Sequence, residues 1–128
     1  MAALFDVPDN KKIRVIVDTD AACEADDPFA IVHALISPKL IVKGITAEHY
    51  NEEGSVQKSY EEIRTILELM QMDTPFFMGE ERALSSAEQK GTSEAVNFII
   101  SEDLREDDYI KTTSSFVYAR VFGQRIQR

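Results

Sequence analysis

Residues 15–31 (VIVDTDAACEADDPFAI) set an unbroken apolar run against a loop carrying five acids in ten residues, and then against the start of an amphipathic helix. A chain that does this must bury the run and hold the loop at a water-facing rim. Val15, Ile16 and Val17 are β-branched and read as a buried strand, and the period of two sends Asp18 and Asp20 to the same side at its carboxyl end. Asp27 precedes Pro28, a favoured first helical residue, so Asp27 is expected as the N-cap of a helix running through Phe29, Ile31, Val32 and Leu35. Loop and helix start then face one crevice, and open α/β sheets bind their ligands at such strand ends.

Asp18, Asp20, Glu24, Asp26 and Asp27 repel one another, so they converge only where a cation, protons or water offset their charge. Carboxylates with backbone oxygens favour a hard ion, Ca²⁺ or Mg²⁺, over softer metals. The plain alternative is a solvated acidic turn with one capping aspartate.

Alternation continues along the chain. Residues 40–46 (LIVKGIT) read as a second strand after the breaker Ser37-Pro38, and a polar loop follows over 47–54. Ser55 is expected to cap a second helix, whose apolar positions Val56, Tyr60, Ile63, Leu67 and Met70 recur at helical spacing. Residues 74–78 (TPFFM) suggest a short third strand, and Ala95, Val96, Phe98, Ile99 and Ile100 a third helix. The fold class implied is α/β: an open, mostly parallel sheet with flanking helices in a single domain spanning 1–128. Residues 111–128 carry four basic residues and no acid, unlike all that precedes them, so 109–128 is read as a divergent tail. Within it, 115–121 could supply a fourth strand, but no helix follows to cover the sheet, which leaves the α/β domain incomplete at its C-terminus.

A net charge of −9 disfavours nucleic acid and anionic membranes as partners. Cys23 is the only cysteine, so no internal disulfide forms, and its acidic neighbours disfavour a reactive thiolate. With no signal-like apolar core in the first residues and no apolar run of membrane-spanning length, a cytoplasmic setting is expected.

With DTD ending the first strand, DDPFAI opening the helix, and GITAEHYN ending the second strand, the chain resembles the inosine-uridine preferring nucleoside hydrolases over roughly residues 12–80. Those enzymes are typified by DTDPGxDDAxAI, then GITxxxxN, then a helix and a short VPVxxG-type strand. The resemblance implies a Rossmann-like core and Ca²⁺-dependent hydrolysis of the N-glycosidic bond of a ribonucleoside, giving ribose and a free base. It places Asp20 as Ca²⁺ ligand and as the base for the attacking water, and Asp27 as a second Ca²⁺ ligand. Asp26 and Asn51 fall on ribose-binding positions, and Asp18 orients the loop. The small-molecule partner is then a nucleoside, and a homo-oligomer is compatible with the family's habit.

The departures are specific. Five residues, AACEA, separate Asp20 from Asp26 where the common motif has three, so Glu24 either joins or backs the ligands or is simply an exposed side chain. The family also draws a backbone carbonyl ligand, a late aspartate ligand and a leaving-group acid from sequence beyond residue 128. His49 is the nearest acid candidate but reads more naturally as a solvated loop residue, and His33 as a structural one. Phe76 and Phe77 are expected to pack on the sheet, and Glu61, Glu62 and Glu68 to mark the solvated face of the second helix. Two rivals stand beside this reading. An apolar strand ending in DxD is also the signature of haloacid-dehalogenase-type phosphatases, in which Asp18 would be the nucleophile and Asp20 the acid, with Mg²⁺; that pattern expects Thr or Val where this chain has Ala22. The other is a non-catalytic, truncated hydrolase relic or metal-binding fragment.

Overall fold

The apolar run forms β1 (Ile13–Thr19), the centre of a parallel sheet. The computed structural model describes residues 6–102 in full and 109–112 as backbone. A short 3-10 turn (Asp9–Lys11) leads into β1, and α1 (Asp26–Ile36), β2 (Leu40–Ala47), α2 (Ser55–Met70), β3 (Phe76–Met78), α3 (Glu94–Ser101) and β4 (Tyr109–Thr112) follow. The strand order is β3-β2-β1-β4, with all three pairings parallel. An α/β arrangement with helices flanking a parallel sheet is therefore the fold. Residues 115–121, read above as a possible strand, lie outside the described residues; Tyr109–Thr112 pairs with β1 instead.

Helices α1 and α2 cover one face. Val15 and Val17 of β1, Ile45 and Ala47 of β2, Ile31 of α1, and Val56, Ile63, Ile66 and Leu67 of α2 form the main buried cluster. Strand alternation puts Ile16, fully buried but outside that cluster, on the opposite face. Helix α3 lies there: Phe98 stacks on Phe77 with ring centroids 4.3 Å apart, and a Cβ on Gly44 would come within 2.5 Å of the Phe98 ring. Gly44 is therefore a glycine because an aromatic ring occupies the space a side chain would need.

The register of β2 against β1 carries an irregularity that plain alternation does not anticipate. Val15 pairs with Val42 but Ile16 with Gly44, so Lys43 is an extra residue opposite no partner. Because of this bulge, Leu40 and Val42 before it and Ile45 and Ala47 after it all pack toward the α1 and α2 core. It also sets Thr46 beside Asp18 on the other face.

Several local expectations are adjusted. Helix α1 begins at Asp26 with Ala25 before it, so Asp27 lies in the first turn and is not the N-cap. Two acids there still meet the positive end of the helix dipole, and Pro28 is tolerated because first-turn amides need no intrahelical partner. Asp27 and Ile31, four residues apart, face inward, and Phe29 between them is 77% exposed. His33 is exposed on the same helix rather than packed. Gly54, at positive φ, takes the N-cap position of α2, while Ser55 is its first residue. Phe76 and Phe77 pack as expected, Phe76 against Tyr60 at 4.7 Å.

Candidate functional site at the carboxyl end of β1

The chain leaves β1 on one side of the strand-order reversal, β2 and β3 lying to one side of β1 and β4 to the other. That position is the topological switch point at which open parallel sheets present ligand crevices. Asp18, the penultimate residue of β1, is 2% exposed. Thr46 Oγ1 donates to Asp18 Oδ1 at 2.5 Å across the pleat, while no donor reaches Asp18 Oδ2 among the described residues.

Glu48, two residues after Thr46, is 5% exposed on the same side of β2. Burial pushes the Asp18 carboxyl above its ordinary range, the contacts with Glu48 and Thr46 hold it back, and the charge of Asp20 adds to the rise. The Glu48 backbone N–H donates to the Thr19 carbonyl at 2.8 Å, extending the β1–β2 pairing one step past the strand ends.

Beyond β1 the acidic loop closes immediately on itself: the Cys23 N–H donates to the Asp20 carbonyl at 2.7 Å. Burial, followed by the charges of Asp20, Glu24 and Asp27, pushes the exposed Cys23 thiol up, in line with the unreactive cysteine expected. Asp27 is 7% exposed in the first turn of α1, and Asp20 is half-buried. Asp26, Glu24 and Asn51 are exposed at the rim.

The loop after β2 is pinned from both directions. Ser55 Oγ accepts from the Tyr50 N–H at 2.9 Å and donates to the Tyr50 carbonyl at 2.8 Å, and His49 Nδ1 is 3.1 Å from the Glu80 carbonyl oxygen. The Glu80 carboxylate in turn accepts from the Thr92 and Ser93 amides at the start of α3. His49 is thus a half-buried anchor between loops rather than a solvated side chain.

Of the expected site residues, Asp18 is buried near the end of β1, Asp20 is half-buried just after it, Asp27 is buried in the first turn of α1, and Asp26 and Asn51 are exposed. Among the described residues, no group of three or more His, Cys, Asp or Glu side chains is arranged to hold a metal ion. The donors are hard oxygens of the kind Ca²⁺ takes, but they supply only part of its usual six to eight ligands. Glu48 was missed in the sequence, although the period of two from Thr46 places it on the Asp18 face. Among the described residues no helix is long and apolar enough to cross a membrane. No protein-family model matches the chain, and no curated protein matches it at a significant level.

Proposed function

We propose that this chain carries the carboxylate-bearing part of a Ca²⁺-dependent nucleoside N-ribohydrolase, built on a Rossmann-like sheet. The observation that supports it is the acidic loop between β1 and α1 at the strand-order reversal, with Asp20 just after β1 and Asp27 buried in the first turn of α1. The order β3-β2-β1-β4 is also the one with which doubly wound nucleotide-binding sheets begin.

In this reading Asp20 and Asp27 hold the ion and Asp20 takes the proton of the attacking water. Bound Ca²⁺ supplies water activation and a grip on the ribose diol. Asp26 and Asn51, both exposed, accept and donate hydrogen bonds to the ribose hydroxyls. Bond cleavage builds positive charge on the sugar, as in other glycoside hydrolyses, and the surrounding carboxylates stabilise it electrostatically. Since His49 is tied to the Glu80 carbonyl, protonation of the departing base falls to a group outside the described residues. The phosphatase alternative asks Asp18 to attack a phosphoryl group, which sits poorly with a carboxyl 2% exposed and engaged by Thr46.

The test is thermal unfolding with Ca²⁺, with Mg²⁺ and with chelator, beside ribose release from inosine and uridine. Saturation at a hundred times Kd stabilises a fold by about 2.7 kcal/mol, so a selective Ca²⁺ shift of the midpoint is expected, and its loss in Asp27→Asn. No Ca²⁺ shift, together with no ribose release above the Asp27→Asn level, would sink the proposal.

A further inference from the structure

We infer that the outward side of α1 pairs with the same helix of a second copy of this chain, the two running antiparallel about a two-fold axis beside His33. Asp27 and Ile31 face the fold, and the opposite side of the helix carries Asp26, Phe29, His33 and Ile36, three, four and three residues apart. At that spacing the four side chains form one ridge along the helix. All four are exposed, Phe29 at 77% and Ile36 at 48%, so the ridge offers water an aromatic ring and a branched aliphatic chain.

Charge chooses the occupant. Asp26 stands at the start of the ridge and Lys39, exposed, just past its end, so the surface is negative at one end, apolar between and positive at the other. A surface built that way complements itself when turned end for end. The antiparallel register centred between Val32 and His33 lays Phe29 on Ile36 and Asp26 beside Lys39, at both ends at once. Centring on Ile31 instead would set Asp26 over Ile36, a carboxylate against an apolar side chain. One helix pair is a small contact, so it belongs with weak, reversible interfaces, and its exposed ion pairs fix orientation more than affinity. Nothing in it depends on the ion site proposed above. Asp26 is a ribose-binding residue in that reading, so the tests are made without nucleoside.

Sedimentation of the whole chain in chelator and reductant, over about a hundredfold range of concentration, reads the association. Each chain carries a net charge of −9, so about 0.15 M salt is used to screen repulsion beyond about 8 Å. Wild type is expected to pass from monomer to dimer as concentration rises. Phe29→Ser and Ile36→Ser should each weaken the dimer at least roughly tenfold, and Lys39→Glu less, with Asp26→Lys added to it restoring the dimer. Since Phe29 is 77% exposed, Phe29→Ser is expected to keep the unfolding midpoint of the dilute chain. Disulfide trapping in a Cys23→Ser chain, with dissolved oxygen as oxidant, tests the register. His33→Cys should trap with itself, because it lies beside the axis. Phe29→Cys, about 10 Å from its own mate along the helices, should trap only when mixed with Ile36→Cys. A wild type that stays monomeric throughout, a dimer that Phe29→Ser leaves intact, or self-trapping of Phe29→Cys equal to that of His33→Cys overturns the inference.

Discussion

Replacing Asp18 by Asn should make the protein more stable at neutral and alkaline pH, although Asp18 is buried and hydrogen-bonded. In the native chain Oδ1 accepts from Thr46, Oδ2 has no donor among the described residues, and the carboxyl faces Glu48 with Asp20 nearby. Asn keeps the Thr46 bond on its carbonyl oxygen and replaces the unpaired Oδ2 with a neutral NH₂ that carries no charge to desolvate. A buried unsatisfied polar atom costs about 1–3 kcal/mol and more when charged, so about 2 kcal/mol of added stability is expected where the carboxyl would ionise. For a domain of this size that corresponds to roughly 8 °C in Tm. The pH dependence has a definite sign. Folding raises the Asp18 pKa from its ordinary 3.8, so above 3.8 the folded state retains a proton that the unfolded state has lost. Native stability from this group is therefore full at low pH and falls as pH rises through the window up to the folded pKa. Asp18→Asn has no proton to lose there, so its advantage should be small near pH 4 and should grow across that window to a plateau. Urea unfolding of both chains in chelator from pH 4 to 8 measures it. A variant less stable than wild type at pH 8, or a difference that does not change with pH, would refute the account of a buried, charge-stressed carboxyl.

Two further predictions follow from packing. Gly44→Ala drives a Cβ to 2.5 Å from the Phe98 ring, so overpacking should cost about 1–3 kcal/mol in urea unfolding, and adding Phe98→Leu should recover part of it; a neutral Gly44→Ala would mean the ring is not held over β2. Gln71 closes α2 at φ 54°, with Gln71 N–H on the Glu68 carbonyl and Met72 N–H on the Leu67 carbonyl, a helix end that favours glycine. Gln71→Gly should therefore raise the urea midpoint by the equivalent of about 0.5–1 kcal/mol, and a fall would show that the Gln side chain contributes more than its backbone strain costs.

Much of the scaffold was legible because it rests on local rules. The consecutive β-branched Val15, Ile16 and Val17 of β1, the i, i+3, i+4 ladder of α2 and the breaker before β2 each name their element without reference to anything distant, and β1, α1, β2 and α2 fall where those rules put them. Boundaries were less legible where neighbours decide. Asp27 looked like a cap because Pro28 follows it, yet the helix starts two residues earlier, with Asp27 and Ile31 turned inward. Phe29, two residues from each, falls on the opposite side and is exposed. The short β3 keeps only Phe76–Met78 because only those residues find partners on β2.

The amino-acid sequence by itself determined that acids would stand at the end of a buried strand, since the apolar run, the period of two and the helix start are all short-range properties. Which acids would meet was decided by tertiary structure. One extra residue, Lys43, shifts the parity of β2, so Thr46 comes to Asp18, and no local signal in LIVKGITAEHYN announces that shift. Burial depth is likewise a property of what lies across the sheet. Alternation tells which side Asp18 is on, but only the assembled strands and helices make that side dry, and dryness pushes its carboxyl above the ordinary range.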